Sequence, residues 1–152
     1  MSGLTNHIER FLKELLEESE GIIEIGRNDL ADKFGCAPSQ INYVLSTRFT
    51  PYKGYFIESR RGGAGYIKII KLTRSSEDAI DLLLSDTIGD AITKDKAKMI
   101  VEGLVEEGII TKREGLLIVH AMDDKSVIMV PGEFKNIVRA DILKNMLIVF
   151  LR

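Results

Sequence analysis

Six residues on one candidate helix carry the most suggestive chemistry in this chain of 152 residues: Ser39, Gln40, Asn42, Tyr43, Thr47 and Arg48. Projected at about 100° per residue, the segment that starts at Pro38 puts Ile41, Val44 and Leu45 on one face. Ser39, Asn42, Tyr43 and Ser46 fall on the opposite face, with Gln40 and Thr47 on its flanks. A solvated helix face more often carries Lys and Glu. Hydroxyls and carboxamides both donate and accept, which is what reading base edges in a DNA major groove requires. Asn and Gln can pair bidentately with adenine, and Tyr43 can reach a phosphate or a thymine methyl. A second set, Arg60, Arg61, Gly62, Gly63, Ala64 and Gly65, joins two strand-like runs. It is not a Walker loop, because no Gly-Lys-Ser/Thr follows and the next segment reads as a strand. Its two arginines, free of bulky neighbours, suit a narrow minor groove. A merely polar helix and a flexible turn are the plain structural alternatives.

Other chemistries find little support. The single cysteine, Cys36, excludes an internal disulfide and a multi-cysteine metal site, and His7 and His120 are too far apart in sequence to suggest a zinc site. Cys36 reads as a small buried residue rather than a reactive thiol. No nucleophile and base are paired by spacing. The sequence therefore predicts no enzyme, no metal, no cofactor and no small-molecule ligand. Apolar runs such as Leu147–Leu151 are far shorter than the roughly 18 residues of a membrane span, and the N-terminus has no signal-peptide pattern. These features predict a cytoplasmic protein without membrane contact.

The formal charge of -2 argues against nucleic acid when the chain is taken whole. Counted by segment, residues 27 to 74 hold nine basic and three acidic groups, a net of +6, and each flank sums to -4. A basic block thus lies between two acidic ones. Within it Arg27, Lys53 and Lys68 are the candidate contacts to the DNA backbone.

The elements that must position these groups follow from periodicity. Ile8, Phe11, Leu12, Leu15 and Leu16 form one apolar helical stripe, with Asn6 and Glu9 as an expected capping box. Ile22, Ile23 and Ile25 form an extended segment. Asn28 is expected to cap a short helix stopped at Gly35, and Pro38 suits the first turn of the next. Gly54–Ser59 and Tyr66–Leu72 read as strands. From Ser75 onward the pattern is helical, with caps at Ser75 or Ser76 and at Thr93, and a Thr111–Glu114 capping box before Leu117, Ile118 and Ala121. A last helix runs from about Phe134 towards Arg152 and is apolar nearly all round at its end, so this half is predicted to lean on a partner subunit. Two short helices, a tight turn and a basic hairpin are the order of a winged helix-turn-helix. The expected fold is mainly α with a small β-wing. A winged helix-turn-helix DNA-binding domain spans 1–73, and a helical dimerisation and regulatory domain spans 74–152.

At Ala31-Asp32-Lys33-Phe34, Pro38-Ser39-Gln40-Ile41-Asn42-Tyr43-Val44, Thr47-Arg48-Phe49-Thr50 and Glu58-Ser59-Arg60-Arg61-Gly62-Gly63-Ala64-Gly65-Tyr66-Ile67, the sequence resembles the CtsR family, the class three stress gene repressors of Gram-positive bacteria. The resemblance is specific over residues 4 to 72 and weaker, though colinear, beyond. It implies a homodimeric repressor that binds double-stranded DNA at a tandem heptanucleotide direct repeat before chaperone and protease operons of the Clp system. It implies release on heat shock with the wing as temperature sensor, and as partners the McsB arginine kinase, McsA and the Clp ATPase and protease. By position, Ser39, Gln40, Asn42, Tyr43 and Arg48 fall in the recognition element. Arg61 is the wing-tip arginine, and attaching a phosphate to it would turn a cation into an anion at the DNA surface. The family wing usually has four consecutive glycines, whereas the third here is Ala64. If that position needs a positive φ, alanine costs roughly 1–2 kcal/mol. A different class of function, a protein-interaction adaptor on a winged-helix scaffold that docks a chaperone or kinase, is the alternative; the basic hairpin and polar helix face argue against it.

Overall fold

The computed structural model describes residues 2–59, 65–73 and 75–151. The chain divides into two compact units, one made of residues 1–50 and 55–72 and the other of residues 51–54 and 73–152. The short segment Pro51–Gly54 thus groups with the second unit, inside the stretch that the sequence assigns to the first domain.

The first unit contains α1 (Ser2–Glu18), β1 (Ile22–Gly26), α2 (Arg27–Phe34), α3 (Pro38–Arg48), β2 (Tyr55–Ser59) and β3 (Tyr66–Lys71). Ile8, Leu12 and Leu16 of α1 are fully buried, and with Leu30, Ala31, Ile41, Val44 and Leu45 they form a three-helix core. Phe49 closes it edge-on against Tyr55, with ring centroids 5.0 Å apart. The extended Ile22–Gly26 segment is a true strand. It pairs antiparallel with β3, as β2 does on the other side, giving the sheet order β1-β3-β2. Two expected caps are corrected. α1 begins at Ser2, so Asn6 and Glu9 lie inside the helix; α2 begins at Arg27 after Gly26, so Asn28 is already in its first turn.

The second unit is helical: α4 (Glu77–Leu82) continuing into a π-turn (Leu83–Ile88), then α5 (Lys94–Glu106), α6 (Lys112–Ala121) and α7 (Lys135–Leu151), with 3-10 turns at Pro51–Lys53 and Gly132–Phe134. Ser76 and Thr93 cap α4 and α5 through their hydroxyls. The Thr111–Glu114 box forms in both directions, Thr111 N–H donating to Glu114 Oε1 at 2.8 Å and Glu114 N–H to Thr111 Oγ1 at 3.1 Å. Buried Arg139 of α7 fastens the segment before it, donating to Met122 O at 3.1 Å and to the carboxylate of Asp124. At the end of α7, Leu147 and Leu151 are buried while Val149 is 76% exposed. Leu117 likewise turns outward, at 62% exposed, and Ile118 takes the core position of α6. These outward apolar side chains fit the expectation of a partner subunit.

Candidate nucleic-acid interface

The turn between α2 and α3 is made by two residue types with fixed conformational preferences. Gly35 adopts the left-handed conformation, φ 62° and ψ 40°, which carries no Cβ penalty in glycine. Cys36 N–H then donates back to Ala31 O at 2.9 Å. Pro38 occupies the first turn of α3, where its missing N–H costs nothing. With Ile41, Val44 and Leu45 turned into the core, Ser39, Gln40, Asn42, Tyr43, Ser46 and Thr47 are all exposed, Tyr43 by 59%. The helix face anticipated from the periodicity is therefore presented as one polar surface.

Several of these groups are already held in place. Gln40 Oε1 accepts the Ala37 N–H at 3.3 Å, so its carboxamide oxygen serves the start of the helix and its amino group is left as the donor for a ligand. Ser46 Oγ and Thr47 Oγ1 both donate to Tyr43 O, at 3.1 and 2.7 Å. Their protons point inward along the helix and their lone pairs remain as acceptors. Arg48 is half-buried, its Nη1 donating to Glu9 Oε1 at 2.9 Å and Asn6 Oδ1 at 3.3 Å on α1. Sequence reasoning missed this pair because Asn6 and Glu9 have the same spacing in a capping box as on one exposed helix face.

Glu9 joins Arg48 to Lys13, whose Nζ lies 3.0 Å away. Partial burial pushes the Glu9 carboxyl up, but the hydrogen bond and charge of Lys13 and the charge and hydrogen bond of Arg48 outweigh it, and the carboxyl titrates below its ordinary 4.5. A carboxyl whose folded pKa is depressed contributes stability that is present above its unfolded value and lost as pH falls through the folded one. The urea midpoint is therefore expected to drop below about pH 5, and Glu9→Gln is expected to flatten part of that drop. An acid limb of unchanged steepness in the variant would exclude Glu9 as a contributor.

The candidate backbone contacts fare differently. Lys68 stands in register with Glu24 on one side and Glu58 on the other, a carboxylate–ammonium–carboxylate row across the sheet that offsets its charge. Arg27 is half-buried and donates from Nη2 to Ser59 Oγ at 2.8 Å. Lys53 belongs to the second unit, 3.6 Å from Glu106. Lys33 lies 4.7 Å above the Phe11 ring. Much of the basic block thus has a partner within the protein. Of the wing set, Arg60, Arg61, Gly62, Gly63 and Ala64 lie outside the described residues, and so does the question of φ at Ala64. Gly65 is described, with φ 74°. Among the described residues no group of acidic, histidine or cysteine side chains is placed to hold a metal, and no helix is long and apolar enough to cross a membrane.

Comparison with known proteins covers nearly all of the chain. Residues 3–73 match the family model of the CtsR N-terminal HTH domain, and residues 76–148 match that of the CtsR C-terminal dimerization domain. Over 149 residues the sequence is 42% identical to a protein of Geobacillus stearothermophilus named transcriptional regulator CtsR, covering 97% of this chain and 96% of the relative. A relative of the same name from Staphylococcus aureus (strain bovine RF122 / ET3-1) is 41% identical over 148 residues, with the same coverage. Among solved structures, a crystal structure of CtsR in complex with a 26-bp DNA duplex matches with a TM-score of 0.61 and 38% identity, covering 98% of this chain and 99% of the other.

Proposed function

Because this chain belongs to the CtsR family of transcriptional regulators, we propose that it is a repressor that binds double-stranded DNA as a homodimer through the exposed face of α3 and the hairpin loop. The observation that carries this reading is the outward surface of α3: Ser39, Gln40, Asn42, Tyr43 and Thr47 offer donors and acceptors with no charge among them, on a helix set by a tight turn against two others. Such a face discriminates bases, while an exposed basic face would bind any duplex. The hairpin loop supplies Arg60 and Arg61 to an A/T-rich minor groove. In the second unit, the exposed Val149 and Leu117 belong to the surface on which a second copy would pack.

The finer reading follows the family resemblance. The operator is a tandem heptanucleotide repeat before Clp chaperone and protease operons, and binding is relieved on heat shock. Phosphorylation of Arg61 by the McsB kinase, with McsA, relieves binding, and the Clp ATPase and protease remove the repressor. The domain over 1–73 reads DNA and the domain over 74–152 dimerises and takes the regulatory inputs. The adaptor reading loses weight because the exposed face of α3 lacks apolar anchors other than Tyr43.

A mobility shift with a tandem-repeat duplex and a scrambled duplex, across salt concentrations, tests the proposal. The expected log-log slope lies between about -4 and -7. The steeper value corresponds to four phosphates neutralised per protomer, the shallower to two if the ion pairs at Arg48 and Lys53 persist on DNA. A slope near zero, or equal affinity for both duplexes, would refute sequence-specific repression.

A further inference from the structure

We propose that Gln40 determines base specificity as a donor only: its carboxamide NH2 selects guanine, through O6 and N7, or thymine, through O4, and rejects the adenine with which a free glutamine pairs. This rests on the reading of the exposed α3 face as the base-reading surface. Gln40 is the third residue of α3, in the N-terminal turn from which a recognition helix contacts base edges, and it is exposed. Two hydrogen bonds of opposite sense tie it to Ala37, the residue before the helix. Gln40 N–H donates to Ala37 O at 2.9 Å, and Ala37 N–H donates to Gln40 Oε1 at 3.3 Å. Turning the amide over would set its NH2 against the Ala37 N–H, donor against donor, so the bond fixes which end of the carboxamide is free.

Ala37 provides no side-chain cap of its own, and Pro38 brings no N–H to the helix start, so the glutamine oxygen serves the Ala37 donor. Bidentate pairing with adenine needs Oε1 to accept from N6 while the NH2 donates to N7. An oxygen tethered to Ala37 gives up the rotation that would bring both groups onto one base edge, and releasing it inside a protein–DNA contact strands a desolvated N–H. The choice of residue points the same way. Glutamate fills this position of a capping box equally well and suits the positive end of the helix better, so helix stability alone does not account for glutamine. What glutamine adds is the donor. Farther along the same face, the Ser46 and Thr47 hydroxyls spend their protons on Tyr43 O and offer acceptors. Gln40 and Thr47 are separated by about 10 Å along the helix, the rise of about three base pairs, so the two ends address different pairs.

The test uses the full-length protein to select from a duplex library randomised through the tandem repeat, with the parent, Gln40→Ala, Gln40→Glu and Ala37→Pro. Affinities for the four base pairs at the affected position are then read by fluorescence anisotropy. Gln40→Ala is expected to relax the preference at one position of each repeat and leave the others unchanged. At that position the parent should favour guanine or thymine over adenine and cytosine by roughly tenfold. Gln40→Glu keeps an oxygen for Ala37 and replaces the outward donor by an acceptor, so the preference there should reverse towards cytosine, whose N4 donates. Ala37→Pro removes the N–H that holds Oε1, at a residue whose φ of -78° suits proline. Adenine should then rise to within about threefold of the parent's preferred base. A parent that favours adenine at that position would reveal the two-point contact and overturn the proposal. So would a Gln40→Ala profile identical to the parent's throughout, which would leave Gln40 as a cap alone, or a preference that Gln40→Glu does not move. A parent without base preference at any position would sink the base-reading role of α3 itself. Gln40→Glu retains the capping box, so it decides the point even if Ala37→Pro folds poorly.

Discussion

Replacing Gly103 by alanine is expected to destabilise the second unit by about 3 kcal/mol or more, read as a fall in its thermal midpoint. Gly103 lies in α5 where the 3-10 turn Pro51–Lys53 crosses it. A Cβ at Gly103 would overlap the carbonyl oxygen of Tyr52, approach its carbonyl carbon to 2.9 Å and lie 3.1 Å from Lys53 Cα. All three are backbone atoms, so no rotamer change relieves the clash and the turn must lift off the helix. Glycine inside a helix costs about 1 kcal/mol relative to alanine, so on propensity alone the substitution would stabilise. The overlap is the larger effect and sets the sign. Gly132→Ala is the control, because a Cβ there meets nothing within 4 Å; its midpoint should change by no more than about 0.5 kcal/mol equivalent. A Gly103→Ala midpoint at or above that of the parent would show that the turn does not pack on α5 in solution.

Charge reversal at Arg61 is expected to have the largest effect on DNA binding. Arg61→Glu should weaken the complex with a tandem-repeat duplex by about a hundredfold or more, since a groove-inserted cation meets a concentrated negative potential and its replacement is repelled by the same field. Stoichiometric phosphorylation of Arg61 should do the same, because it reverses the charge and blocks the donor fork. Lys53→Ala is the comparison. Its ammonium already faces Glu106, which is 67% exposed, so it has less charge to offer and should cost less than about threefold. Equal losses from both substitutions, or full affinity in the phosphorylated protein, would refute the assignment of Arg61 to the groove.

The parts of the fold that were legible in the sequence are those fixed by local chemistry. The polar face of α3, the left-handed Gly35, Pro38 in a first turn and the Thr111–Glu114 box each depend on residues within a few positions of one another. What escaped depends on distant partners. Ile22–Gly26 reads as extended, but its place beside β3 is a long-range pairing that its own residues do not specify. Asn6 and Glu9 carry a spacing that serves a cap or a helix face equally, and only the arrival of Arg48 selects the face. For the same reason the net of +6 overstated the charge available to DNA. Arg48, Lys53 and Lys68 are counted as free cations in a sequence, whereas in the fold Glu9 and Glu106 pair with the first two and Glu24 and Glu58 stand in register on either side of the third. The π-turn at Leu83–Ile88 also has no marker in its own residues, which follow ordinary helical spacing.

The excursion at Pro51–Gly54 bears on how the protein can be dissected. The chain leaves the first unit after Thr50 and re-enters it at Tyr55, whose N–H donates to Thr50 O at 3.1 Å and so clamps the neck of a four-residue loop that belongs to the second unit. A fragment that starts near residue 73 therefore lacks the turn that covers Gly103, leaving a bare stripe on α5. The complementary fragment keeps that turn with no helix beneath it. Neither piece is a faithful half. Separate expression of the two would be expected to yield a sticky, loosened helical fragment whose self-association reports the missing loop rather than the native assembly.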